Sequence, residues 1–202
     1  MRALFVAAAL MFAGAVHAEP ITYTIDPAHT QVAFSINRFG FNNVLGRFDQ
    51  VAGEVILDEA NPANSSVRAT IQIASISSGN ATRDEHLRSE RWLNAAANPT
   101  MEFQSTSVRL TGERTAEVTG NLTLMGQTHP VTLNVTLNLL GDAPNNRRRT
   151  AGFSATGSLS RAAFGSATAP NLIGDLVSIQ LEVLAQAPAP FDVLTQPPAP
   201  SN

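Results

Sequence analysis

Residues 131–139 carry the strongest constraint in this chain. Val131, Leu133, Val135, Leu137 and Leu139 alternate with Thr132, Asn134, Thr136 and Asn138. A repeat of two residues puts every apolar side chain on one face of a strand and every polar one on the other, which suits an antiparallel sheet with one covered face. The same alternation recurs at Val32, Phe34 and Ile36; at Val55 and Leu57; at Val67, Ala69, Ile71 and Ile73; at Met101 and Phe103; at Val118, Leu122 and Leu124; and at Val177, Ile179, Leu181 and Val183. Turn residues separate the runs: Asp26-Pro27, Asn61-Pro62, Ser78-Gly79-Asn80, Met125-Gly126 and the stretch from Gly141 to Asn146. The spacing predicts about eight strands in an all-β sandwich or barrel.

One segment departs from this rhythm. Thr82-Arg83-Asp84-Glu85 fits a capping box with Thr82 as N-cap and Glu85 three residues on. It predicts a helix over residues 83–96, stopped by Asn98-Pro99. The termini stand apart. Arg2, an apolar run over residues 3–13, and Val16 and Ala18 at the −3 and −1 positions read as a signal peptide cleaved before Glu19. Residues 187–202 hold five prolines and read as a disordered tail. The expected division is therefore a signal peptide at 1–18, one folded domain at 19–186 and a tail at 187–202, in a protein exported to the periplasm.

Composition removes whole classes of chemistry. There is no cysteine, so disulfides, thiol catalysis and cysteine-ligated metals are excluded. All 13 basic residues are arginine, which excludes Schiff-base lysines and a Walker A loop. A net charge of −3 offers no basic field for nucleic acid. No Gly-x-Ser-x-Gly elbow is present, and His29, His86 and His129 lack zinc-site spacing. The adjacent carboxylates Asp58-Glu59 and Asp84-Glu85 point apart on a strand or helix. The dense run Arg147-Arg148-Arg149 reads as a solvated turn, with an anion or headgroup contact as its functional alternative. What remains is the sheet. An eight-stranded closed barrel has an interior that side chains fill or that holds one small ligand.

Motifs spread along the domain resemble the YceI-like family of bacterial periplasmic proteins. They are Tyr23-Thr24-Ile25-Asp26-Pro27-Ala28-His29-Thr30; Val32-x-Phe34-x-Ile36 with Gly40, Val44-x-Gly46-x-Phe48 and Gly53; and Arg83-Asp84-Glu85-His86-Leu87-Arg88-Ser89. Pro99-x-Met101-x-Phe103-x-Ser105, Gly120-Asn121-Leu122-Thr123-Leu124-x-Gly126 with Pro130-Val131, Arg161-Ala162-Ala163-Phe164-Gly165, and Gly174-Asp175-x-Val177 come next in the family's order. The resemblance implies an all-β fold, a lipocalin-like eight-stranded antiparallel β-barrel with one short α-helix. It implies a non-covalent isoprenoid, quinone or fatty lipid in the barrel, its polar head near the mouth, and no other cofactor. Two positions depart from the pattern: Arg38 stands where the family often has His, and Asn42 where it often has Ser. A permanent charge at Arg38 suits a phosphate or carboxylate head.

The strand phases and the resemblance together nominate Phe34, Ile36, Phe48, Ile71, Ile73, Leu87, Trp92, Phe103, Leu122 and Phe153 as the apolar lining. Arg38 and Arg83 are the head-group candidates, with pairing to Asp84, Glu85 or Asp26 as the structural alternative for Arg83. The expected role is a binding or carrier protein, not an enzyme, with transient membrane contact and homodimerisation as possible associations. Two other roles stay open: an enzyme using His86 with Asp84 or His29 with Asp26, and an accessory that presents a quinone for electron transfer.

Overall fold

The structure, a computed structural model, describes residues 19–189. Eight walls form one closed antiparallel barrel, and three of them are broken in two. The first wall is β1 (Ile21–Ile25) followed by β2 (Gln31–Arg38). The second is β3 (Asn42–Phe48) with β4 (Val51–Leu57), and the third is β5 (Ser66–Gln72) with the short β6 (Ile76–Ser77). Five long strands complete the circuit: β7 (Thr100–Leu110), β8 (Thr115–Leu124), β9 (Gln127–Asp142), β10 (Arg149–Ser160) and β11 (Ile173–Gln186). Each wall pairs with the next in sequence. β11 then returns to the first wall, meeting β2 from Ile173 to Glu182 and β1 at Ala185 and Gln186. This up-and-down order abolishes free edges.

The breaks have local causes. The Asp26 carboxylate accepts the Ala28 N–H at 2.9 Å and contacts His29 Nδ1 at 2.8 Å, so the chain turns out of the sheet between β1 and β2. The break between β3 and β4 faces the one between β5 and β6: Asp49 N–H donates to the Ser75 carbonyl and Gln50 N–H to Ser75 Oγ. A 3-10 turn, Ile73–Ser75, makes that second break. Ile73 therefore does not continue the wall begun by Val67, Ala69 and Ile71, as alternation alone implied.

β9 corrects the reading of the most regular segment. Its register with β10 slips between Gly152 and Phe153, so that no β10 residue stands opposite Asn138. A bulge inverts the phase of the residues beyond it. Leu139 is exposed and Leu140 points inward instead.

The helix is also shorter and starts earlier than the capping box implied. α1 spans Ala81–Arg88, and its N-cap is Asn80, whose side chain accepts the Arg83 N–H at 2.9 Å. Gly79, at φ +77, turns the chain so that Asn80 takes this role. Ser89 ends the helix in extended conformation, its hydroxyl bonded to the His86 carbonyl, and turns occupy most of the connection to β7.

The end of the barrel where β1 meets β11 is sealed by Tyr23, which is fully buried among Leu57, Ala151, Ala185 and Ala187. The alanines leave room for the ring. Its hydroxyl donates to Glu59 at 2.8 Å, and Arg149 grips the same carboxylate through Nε and Nη2. Arg148 donates twice to the Ala187 carbonyl. Two of the three clustered arginines thus fasten the chain, where a solvated turn was expected. The packed chain reaches Ala187, one residue beyond the expected domain end. The proposed signal peptide and residues 190–202 of the proposed tail lie outside the described residues.

Burial, then the neighbouring Glu59, pushes the Tyr23 phenol up to about 12. The chain has a single tyrosine. Absorbance titration of the native protein should therefore show no ionisation near pH 10 and a midpoint close to 12. In denaturant the midpoint should fall to about 10. The unfolded chain ionises first, so this contribution is complete below pH 10 and is lost as pH rises towards 12. A native midpoint near 10 would contradict the sealed seam.

Candidate functional site

The inward faces enclose a cavity of about 830 Å³. Aliphatic and aromatic side chains from every wall line it. Such a volume needs an explanation, because eight-stranded barrels can be filled by their own side chains. Two contacts between a ring and a glycine of the neighbouring strand help to supply it. Phe34 lies over Gly46 and Phe103 over Gly120, so that both rings occupy space a larger neighbour would take. A Cβ at Gly46 would sit 2.8 Å from Phe34 Cε1, and one at Gly120 2.7 Å from Phe103 Cε2. Phe34 also meets Phe48 in a tilted contact, ring centroids 5.7 Å apart. Small inward residues, Ala69 and Ala155, add to the hollow.

The polar groups are confined to the two ends. At the end where α1 sits, the lining includes Arg38, Arg83, His86, Arg161 and Ser166; at the other it includes Glu59, Glu113 and Arg114. Arg161 is buried, and its guanidinium donates to the carbonyls of Gly174 at 2.9 Å, Ile173 at 3.0 Å and Ser166. Arg38 is the cross-strand partner of Ile173, so the two arginines flank one residue of β11. The nearby Asp175 carboxyl is held below its usual range by hydrogen bonds from Ser160 and the Ala162 N–H. It lies at the surface, so the lumen at this end remains cationic.

α1 is anchored by an interlocked set of bonds. Asp84 is buried and accepts both the N–H and the hydroxyl of Ser78. Arg83 Nε donates to Ser78 Oγ at 2.7 Å and Nη2 to the Ser78 carbonyl at 2.6 Å. In place of the carboxylates weighed as its structural alternative, Asp84, Glu85 and Asp26, Arg83 binds Ser78. Thr168, in the segment after Arg161, bonds the Arg91 carbonyl and ties the two caps of this end together.

Of the residues nominated from sequence, Phe34, Ile36, Arg38, Phe48, Ile71, Arg83, Leu87, Trp92, Phe103, Leu122 and Phe153 line the cavity. Ile73 does not. Carried off the wall by the 3-10 turn, it is fully buried behind the lining. Sequence reasoning missed Arg161 and Ser166, although Arg161-Ala162-Ala163-Phe164-Gly165 had marked the segment. Of the two acid–base pairs, His86 lines the cavity while Asp84 is committed to Ser78, and the Asp26–His29 pair lies outside the lining.

A family model described as the YceI-like domain matches residues 23–185. A UPF0312 protein of Pseudomonas aeruginosa (strain LESB58) is 38% identical over 165 residues, covering 82% of this chain and 85% of its own. Among solved structures, Burkholderia cenocepacia BcnA superposes with a TM-score of 0.72 at 25% identity, covering 79% of this chain and 98% of its own. A polyisoprenoid binding domain from Saccharophagus degradans shares the fold at a TM-score of 0.63 and 14% identity, over 83% of this chain and 99% of its own.

The flattened rings lead to a direct test. Gly46→Ala should force the Phe34 ring off its seat and into the lumen. The expected cost is about 1–3 kcal/mol of stability, as for other overpacked sites, together with reduced uptake of long apolar ligands. Chemical denaturation and ligand titration read the two effects separately. Replacing the Asn80 cap with Ala should cost about 1 kcal/mol without changing the lumen; a loss within error would remove Asn80 from the anchoring of α1.

Proposed function

The chain belongs to the YceI-like family, and from that membership and its hollow barrel we propose that it binds a long-chain amphiphilic lipid, an isoprenoid or a molecule of similar shape, and carries it in the periplasm. The single observation behind this reading is a continuous apolar lumen with charged groups only at its ends. Burying hydrocarbon there is favourable by about 0.8 kcal/mol per CH₂. Size agrees with a long chain. A cavity of ~150 Å³ takes up benzene, so on that scale the lumen has room for roughly 30 carbons. The Saccharophagus relative is described as a polyisoprenoid binding domain, which supports the same ligand class here.

The tail lies along the lumen against Phe34, Phe103 and Leu122. The head sits at the α1 end, near Arg38 and Arg161, with Arg83 contributing the donors that Ser78 leaves free. The protein holds and releases its ligand without altering it. Location in the periplasm rests on the signal-like residues 1–18. A quinone would satisfy the same lumen, and its visible or near-ultraviolet absorption in the purified protein would reveal it.

Native mass spectrometry of protein purified from the periplasm, followed by organic extraction, tests the proposal. The expected result is one lipid per chain. The variant Ile179→Trp, which places a large ring on the lumen wall, should exclude long chains while leaving the fold intact by circular dichroism. A ligand-free wild type that takes up no added polyprenyl lipid would overturn the carrier reading.

A further inference from the structure

We propose that the β2–β3 hairpin is a membrane-docking element that sets the α1 end of the barrel against a phospholipid bilayer. Phe41 at its tip is 91% exposed. Below it on the outer wall, Leu45 and Leu176 are 69% and 61% exposed, and Phe39 and Leu172 are partly so. These five residues form one surface. Leu45 is the cross-strand partner of Ser35, and Ser35 in turn partners Ser178, two residues beyond Leu176. The Phe39 N–H donates to the Leu172 carbonyl at 2.8 Å, which joins the tip to the start of β11. Isolated exposed apolar residues are ordinary, whereas a contiguous patch marks a contact surface.

The tip is held in shape. Phe39 has φ +54, a left-handed conformation unfavourable for an aromatic residue, and Gly40 follows at φ +75. The Asn37 side chain accepts the Gly40 N–H at 2.8 Å, and the Phe41 N–H donates to the Arg38 carbonyl. Strain of this kind persists only where the surroundings enforce it. Its result is that two aromatic rings are presented outward where burial would be preferred.

Charge favours a bilayer as the occupant. The Arg38 guanidinium lies 4.2 Å from the Phe39 ring centroid, a cation stacked on an aromatic face at the rim. Residues 37–45 contain Arg38 and no carboxylate, in a chain whose net charge is −3, and the carboxylate between Leu172 and Leu176, Asp175, is engaged by Ser160 and the Ala162 N–H. Phe and Leu side chains that enter the boundary between headgroups and acyl chains, with an arginine reaching towards phosphate, are what interfacial anchors use. Arg38 also lines the cavity, so docking here places the lumen mouth against the layer that stores long-chain lipids. That last point rests on the lipid-carrier reading; the exposed patch and its charge do not.

Flotation of the purified mature protein with two kinds of vesicle tests the proposal. One is phosphatidylethanolamine with phosphatidylglycerol at about 3:1; the other is phosphatidylcholine alone. The wild type should rise with both. Phe39→Ser/Phe41→Ser should lower the partition coefficient at least tenfold, while Phe41→Trp retains it. Arg38→Gln should weaken binding to the anionic vesicles several-fold and barely alter binding to phosphatidylcholine. Because the tip is exposed, these variants should fold normally, as circular dichroism can verify. A wild type that stays at the bottom of the gradient with both vesicles overturns the proposal, as does undiminished flotation of the double variant. A dimer in light scattering that the double variant dissolves, without vesicle binding, would assign the patch to a second copy and overturn it too. Lipid content measured by native mass spectrometry in the same preparations reads the carrier function separately, so either reading can fail alone.

Discussion

Closure of the sheet through β11 is the constraint on which the other features depend. Its backbone groups pair with β10 on one side and with both β1 and β2 on the other. An open sheet of this composition would have to cover its apolar face with a second layer. A closed one turns that face inward, and eight strands enclose just enough space for a small ligand. The lumen is thus a consequence of strand number and closure, and the side chains only decide how much of it stays empty. The seal at Tyr23 and the cap at α1 finish the two ends that closure alone leaves open.

Much of this fold could be read from the chain because strand alternation reports the burial of one face directly. Val131, Leu133, Val135 and Leu137 obey it, and so do Val177, Ile179, Leu181 and Val183. The reading failed where the backbone changes phase without changing composition. Nothing in Leu137-Asn138-Leu139-Leu140 says which leucine turns inward after the bulge. Ile73 looked like the next step of a strand because the 3-10 turn after Gln72 carries no glycine or proline. At the helix, Asn80 and Thr82 are both acceptable caps, and the left-handed Gly79 selects the first.

The site was legible in its apolar part and obscure in its polar part for a related reason. Lining residues follow from strand phase. Polar roles follow from tertiary partners, which spacing does not encode. Arg83 sits beside two carboxylates in sequence yet binds Ser78, and Arg148 and Arg149 secure the barrel seam from within a run that resembles a solvated loop. The glycines beneath the Phe34 and Phe103 rings are silent in the sequence as well. Their meaning depends on which ring the neighbouring strand lays over them.

The position of β11 has a bearing on how the molecule is made. The first wall waits for a partner about 150 residues away, and loop closure of that length precedes any reward from the contact. The hairpins from β7 to β10 can assemble from neighbouring segments, but the lumen exists only once the last strand docks. Until then the apolar wall faces water along its full height. Formation of the compartment is therefore all-or-none with respect to the C-terminal strand, and a chain cut short before β11 is left with two unpaired edges and an uncovered apolar face, the surfaces from which aggregation starts.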